Sequence, residues 1–150
     1  MQTFMPYPDF DKSAKSLDRQ RLGKQRVEVI QLLNALLKGG GWKNHPAAKM
    51  WAGFESALAR YGVEICYEWQ SRGYKDSCME KIIELAAPNS ATLPAWIGNE
   101  EFHRSHQSNL IRKLPSHYQE LWPGVPNDLP YVWPTEMRES FKKIPIIEWV

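Results

Sequence analysis

The segment LDRQRLGKQRVEVIQLLNALLK, residues 17–38, decides the fold class. Leu22, Val29, Ile30, Leu33, Leu36 and Leu37 recur at helical spacing, which predicts one long helix with a single buried stripe. Ser16 or Asp18 supplies a capping side chain at its start, and Gly39, Gly40 and Gly41 stop it after Lys38. Gly23 lies inside this helix at a cost of about 1 kcal/mol relative to Ala, so a close backbone approach is expected there. The same segment carries chemistry. Residues three, four and seven apart share a helix face, so Arg21, Lys24 and Gln25 align with Glu28. A lone carboxylate among cations is expected to stay ionised at neutral pH. It is suited to stabilise a developing positive charge on a substrate whose phosphates the bases hold. A solvated face with intrahelical salt bridges is the alternative.

The flanking segments continue the helical theme. The first ten residues, MQTFMPYPDF, are aromatic and proline-punctuated and read as an extended arm tied down by Phe4, Tyr7 and Phe10. Asn44-His45-Pro46 reads as a helix start. Met50, Trp51, Phe54, Ala57, Leu58, Tyr61, Ile65, Cys66 and Trp69 then keep the helical period and predict the core helix, closed by Arg72-Gly73-Tyr74. Further helices are predicted from Asp76 to Ala87, from Gly98 or Asn99 to Leu114, from Pro115 to Trp122 and from Thr135 to Lys143. Prolines 123, 126, 130 and 134 exclude regular structure between the last two and predict a surface wrap that buries Tyr131 and Trp133. Without a strand-rich region or an internal repeat, the class is all-α, in one domain spanning residues 1–150.

Composition sets the limits. At 43% hydrophobic residues, 150 residues bury a core without staples. The net charge of +2 is too small to argue for a nucleic-acid partner, but its distribution is uneven. Lys12, Lys15, Arg19, Arg21, Lys24 and Arg26 face only Asp18 between residues 12 and 26. A second stretch, Phe102 to Tyr118, has Arg104, Arg112, Lys113, His103, His106 and His117 and no acid. Cys66 and Cys78 lack metal-ligand spacing, and Cys66 reads as a small core residue. His103 and His106 share a helix face beside Glu100, but no further ligand stands at suitable spacing, so no metal site is read. No nucleophile elbow, phosphate loop or Ser-His-Asp arrangement occurs. With neither a secretion signal nor a membrane span, the expected compartment is soluble, reducing and intracellular.

The order of these features resembles the pyrimidine-dimer DNA glycosylases of the endonuclease V type. LDRQRLGKQRVE is similar to that family's LxDxHLxAEYRE helix, GWKNHPAAKMW to the His-Pro signature of its bacterial members, and RKLPSHY to its later basic helix followed by Pro-x-x-Tyr. The likeness covers most of residues 1 to about 134. It implies a compact all-α domain that binds duplex DNA and excises a damaged base, with a pyrimidine dimer as the expected lesion. It also implies an N-terminal amine that attacks C1′ and forms an imine, after which β-elimination nicks the strand as an AP lyase.

On this resemblance Glu28 falls on the catalytic carboxylate. Arg21 stands where the family has a His, and Val27 where it has an Arg, which Arg26 replaces. Gln2 is bulky enough to disfavour loss of the initiator, so Met1 is the residue expected to supply the amine. The expected DNA contacts are Arg19, Arg21, Lys24, Gln25, Arg26, His45, His106, Arg112 and Lys113. Neither a cofactor, a metal, a membrane nor a protein partner is implied, and the cytoplasm of a bacterium or phage-infected cell is the expected location. Two alternatives stay open: an N-glycosidic enzyme acting on another modified base or nucleotide, and a non-catalytic DNA-binding module.

Overall fold

The computed structural model describes residues 1–88 and 92–134, and the predicted helix from Thr135 to Lys143 lies outside them. The described residues are helical and contain no strand. The elements are α1 (Phe10–Ser16), α2 (Arg19–Lys38), a 3-10 turn (Gly41–Asn44), α3 (Pro46–Lys49), α4 (Glu55–Ser71), α5 (Cys78–Leu85), α6 (Glu100–Lys113) and α7 (Pro115–Tyr118). They form two compact units. The first holds Met1–Thr3 and the described residues from Asp9 to Pro94, and the second holds Phe4–Pro8 with the described residues from Ala95 on.

In the first unit α2 packs against α4, α5, α3 and the 3-10 turn, and α1 packs against α4. The helix α1, between the predicted arm and the first predicted helix, is not expected from the sequence; it forms because Asp9 accepts the Lys12 N–H at 2.8 Å, an N-terminal cap. Two glycines let helices approach. A Cβ at Gly23 would stand 2.9 Å from Trp69 Cζ3, and one at Gly62 would stand 2.7 Å from Val29 Cγ1. The close approach expected at Gly23 is therefore made by an indole ring. Arg26 lies 4.3 Å over that same ring and donates to Asp76 at 2.7 Å. Asp76 in turn accepts the Cys78 and Met79 N–H groups that open α5. Burial works against its charge, yet these donors, Arg26 foremost, hold its carboxyl below the ordinary range.

Two sequence expectations change here. The predicted core helix is broken: α3 ends at Lys49, Gly53 takes φ 86°, and α4 restarts at Glu55. The stripe on α2 is rotated, because Leu37 is 47% exposed while Leu32, Gln25 and Glu28 are buried. Hydropathy misses this face, since two of its positions are polar.

In the second unit the polar side of α6 is used internally. His103 Nδ1 donates to the Met5 carbonyl at 2.7 Å, and His106 Nδ1 accepts the Met5 N–H at 2.9 Å. Gln107 adds a bond to the Pro6 carbonyl at 2.8 Å, so three α6 side chains hold this part of the arm. Along α6, Ser108 accepts the Leu129 N–H, Ser105 accepts the Val132 N–H, and Asn109 donates to the Leu129 carbonyl. Arg112 donates to Asn127 O at 2.5 Å and bonds Asn109. The proline-rich segment cannot pair its backbone regularly, so these side chains satisfy it.

His106 is fully buried, and burial, with a lesser contribution from the charge of His103, holds its pKa at about 3 against an ordinary 6.5. Between those values the unfolded chain binds a proton that the folded chain refuses. Stability should therefore fall as pH drops below 6.5, by up to about 1.4 kcal/mol per pH unit from this residue. Thermal melts between about pH 7 and pH 5 measure the slope. His106→Asn, which offers Met5 an acceptor without titrating, should flatten it; an unaltered slope would assign the effect to other groups.

Candidate active site

The Gln25 side chain organises the site. Its Nε2 donates to the Gln2 carbonyl at 2.8 Å and to Glu28 Oε2 at 2.7 Å, and its Oε1 accepts from Tyr61 at 2.8 Å. One amide nitrogen thus bonds both the second residue of the chain and the α2 carboxylate, which brings the N-terminus to Glu28. Tyr61 is fixed by Trp51 at 6.1 Å and Phe10 at 5.8 Å between ring centroids. Trp51 Nε1 donates to Thr3 Oγ1 at 3.0 Å, a second tie on the arm. Gln2 is buried, with its Oε1 accepting the Thr3 N–H.

Glu28 is 7% exposed. Burial pushes its carboxyl above the ordinary range, against the opposing pull of Lys24, the N-terminal amine, the Gln2 backbone N–H and Gln25. Lys24 Nζ stands 3.8 Å from Glu28 Oε1, with its side chain 73% exposed. The carboxylate expected in open cationic surroundings is therefore a desolvated one. A raised pKa favours a group that both accepts and returns a proton.

His45 comes from the turn after α2. It caps α3, with Nδ1 accepting the Ala47 N–H at 3.0 Å, so the cap is the histidine while Pro46 opens the helix. With Nδ1 accepting, the neutral ring carries its proton on Nε2. Burial, and then the charge of the N-terminal amine, lower its pKa, so the neutral imidazole is favoured near the amine.

The remaining predicted contacts divide by exposure. Arg19 and Lys24 are exposed on α2. Arg21 is half-buried and bonds Asp18 at 3.2 Å. Arg26 is committed to Asp76 and Trp69, Gln25 is 1% exposed, and His106 is 0% exposed. These three turn inward because each satisfies a buried partner. Arg112 braces the proline-rich segment, and Lys113 is exposed at the end of α6. Sequence reasoning missed Tyr61 and Trp51 as supports of the site, because both sit in an apolar period that signals packing alone. Among the described residues no group of three or more His, Cys, Asp or Glu side chains is placed to hold a metal.

Residues 1–81 match the family model described as pyrimidine dimer DNA glycosylase, a match that contains Met1, Glu28 and His45. The chain belongs to this family. No curated protein matches it, and no solved structure does. As a pyrimidine dimer DNA glycosylase family member it is a DNA repair glycosylase with DNA as its substrate. The matched region reaches the middle of α5, whereas α6 and its histidines lie beyond it. No helix among the described residues is long and apolar enough to cross a membrane.

Proposed function

We propose that the protein excises a base at a pyrimidine dimer by attack of the Met1 α-amine on C1′ and then nicks the strand as an AP lyase. The carrying observation is the Gln25 amide nitrogen shared between Gln2 O and Glu28 Oε2. A neutral α-amine carries a lone pair and attacks an electrophilic carbon without activation by a separate base.

The electrons balance as follows. The amine lone pair forms a bond to C1′, and the C1′–N bond breaks with its pair leaving on the base. The attacking nitrogen gives one proton to the departing base; the C1′–O4′ bond then breaks with its pair on O4′, which takes the second nitrogen proton, and the nitrogen lone pair closes the C1′=N bond of the imine. Glu28 opposes the positive charge that develops on the sugar, then takes the C2′ proton as the 3′ phosphate departs in β-elimination. Gln25, itself held by Tyr61, fixes the carboxylate for both tasks. The decisive experiment is borohydride reduction on dimer-containing and undamaged duplexes. A covalent adduct on Met1 with dimer DNA supports the mechanism, whereas base release without an adduct assigns Glu28 to activating water instead.

DNA binding in this reading uses the exposed α2 cations. Each phosphate contact adds about 0.9 to the slope of log affinity against log salt. Replacing Arg19 and Lys24 together with Ala should flatten that slope by up to roughly 2 units. Arg26→Ala should instead lower thermal stability and leave the slope nearly intact, because its guanidinium is held by Asp76. An unchanged slope in the double variant would remove this face from the interface.

A further inference from the structure

We infer that Trp42 is the stacking platform for a base swung out of the duplex at the lesion. The inference rests on the glycosylase reading and adds to it the residue that receives the base. Trp42 is 47% exposed, in a run where every residue from Gly39 to Asn44 is exposed. A single exposed indole is ordinary on a protein surface. Its position is what distinguishes this one.

The ring is carried on an ordered turn. Gly39 ends α2 at φ 81°, the Lys43 N–H bonds Gly40 O at 3.3 Å, and the His45 N–H bonds Trp42 O at 3.0 Å. The indole meets the His45 imidazole edge-on at 5.6 Å between centroids. His45 is in turn fixed by its cap on Ala47. The turn packs against both α2 and α3, the helix that carries Glu28 and the one that His45 caps. Lys43, next to Trp42 on the turn, and Lys49, at the end of α3, are both exposed and carry positive charge suited to phosphates. Trp42 meets His45, and His45 in turn feels the charge of the N-terminal amine, so a half-exposed aromatic face stands one residue removed from the proposed nucleophile, a place suited to an unstacked base.

Chemistry at a nucleotide within a duplex requires that a base leave the stack, and aromatic faces recover part of that cost. Base–aromatic stacking changes affinity by roughly 5- to 150-fold per base. Sequence independence follows, since every base has a planar face.

The test measures affinity in a Glu28→Gln background, where turnover does not disturb equilibrium. Four duplexes are used: one with a pyrimidine dimer, one with a tetrahydrofuran abasic analogue, which has no aldehyde to form an imine, in the damaged strand, one with the base opposite the dimer deleted, and one undamaged. Trp42→Ala should weaken binding to the dimer duplex by roughly 5- to 150-fold and to the undamaged duplex far less. Trp42→Phe should keep most of the preference. Loss of the penalty with the abasic duplex identifies the damaged base as the occupant, and loss with the opposite deletion identifies the partner base. An equal penalty on all four duplexes, or none on the dimer duplex, overturns the inference. Borohydride trapping with the wild-type protein is run separately. Its failure would overturn the amine mechanism and leave the affinity comparison intact.

Discussion

Glu28→Gln should reduce base release by at least ~100-fold, the lower range for a positioned acid–base group, while DNA affinity holds or rises. The substitution keeps the shape, and an amide oxygen can still accept from Gln25 Nε2, so the Gln2–Gln25–Tyr61 chain persists. Stability should not fall, because a charge that is 7% exposed is removed rather than left unpaired. Single-turnover excision on dimer DNA, compared with thermal melts, separates the two effects. The pH profile adds a second reading. The carboxylate must be deprotonated to oppose positive charge, and burial raises its pKa, so the acidic limb of the rate should lie above the ordinary carboxylate range. Lys24→Ala removes a charge that holds this pKa down, and the limb should move further up. Turnover near the wild-type rate in Glu28→Gln would return the residue to a structural role.

The second large effect concerns the chain terminus. Extending the protein beyond Met1 with an uncleaved tag should abolish borohydride trapping and strand nicking altogether. The tag turns the amine into an amide nitrogen, which has no nucleophilic lone pair, and it adds bulk where Gln2 and Thr3 are already buried against Gln25 and Trp51. Salt-dependent DNA binding through Arg19 and Lys24 should survive, since both are exposed on α2. Mass spectrometry of the untagged protein should find an unblocked N-terminus and, after reduction, a sugar fragment on that residue. Full-rate base excision by the tagged protein would sink the imine mechanism. Trapping on an internal lysine such as Lys24 would move the nucleophile onto α2.

Much of the architecture was legible because it depends on local rules. The end of α2 at Gly39, the α6 cap by Asn99 and the close approach at Gly23 all follow from residue chemistry within a turn or two. The helix–helix contacts were implied by period, since the apolar positions from Ala57 to Cys66 have no other face to bury. The break at Gly53 was hidden for the same reason: apolar spacing on either side happens to stay in phase across it. The cap on α1 was overlooked because prolines 6 and 8 dominate the reading of the arm.

The sequence by itself determined the helical class, the order of the longer helices α2, α4, α5 and α6, and the candidate carboxylate, because capping, period and motif order are properties of neighbours along the chain. Tertiary structure alone decided which polar residues face inward. Gln25, Arg26 and His106 look like members of two basic surfaces, but they are drawn inside by partners 23, 50 and 101 residues away, namely Gln2, Asp76 and Met5. A buried polar group is stable only where such a partner meets it, and no local pattern encodes that meeting. The same physics set the character of Glu28: its charge came from the sequence, but its desolvation and its nearness to the chain's amine came from the arm folding back onto α2.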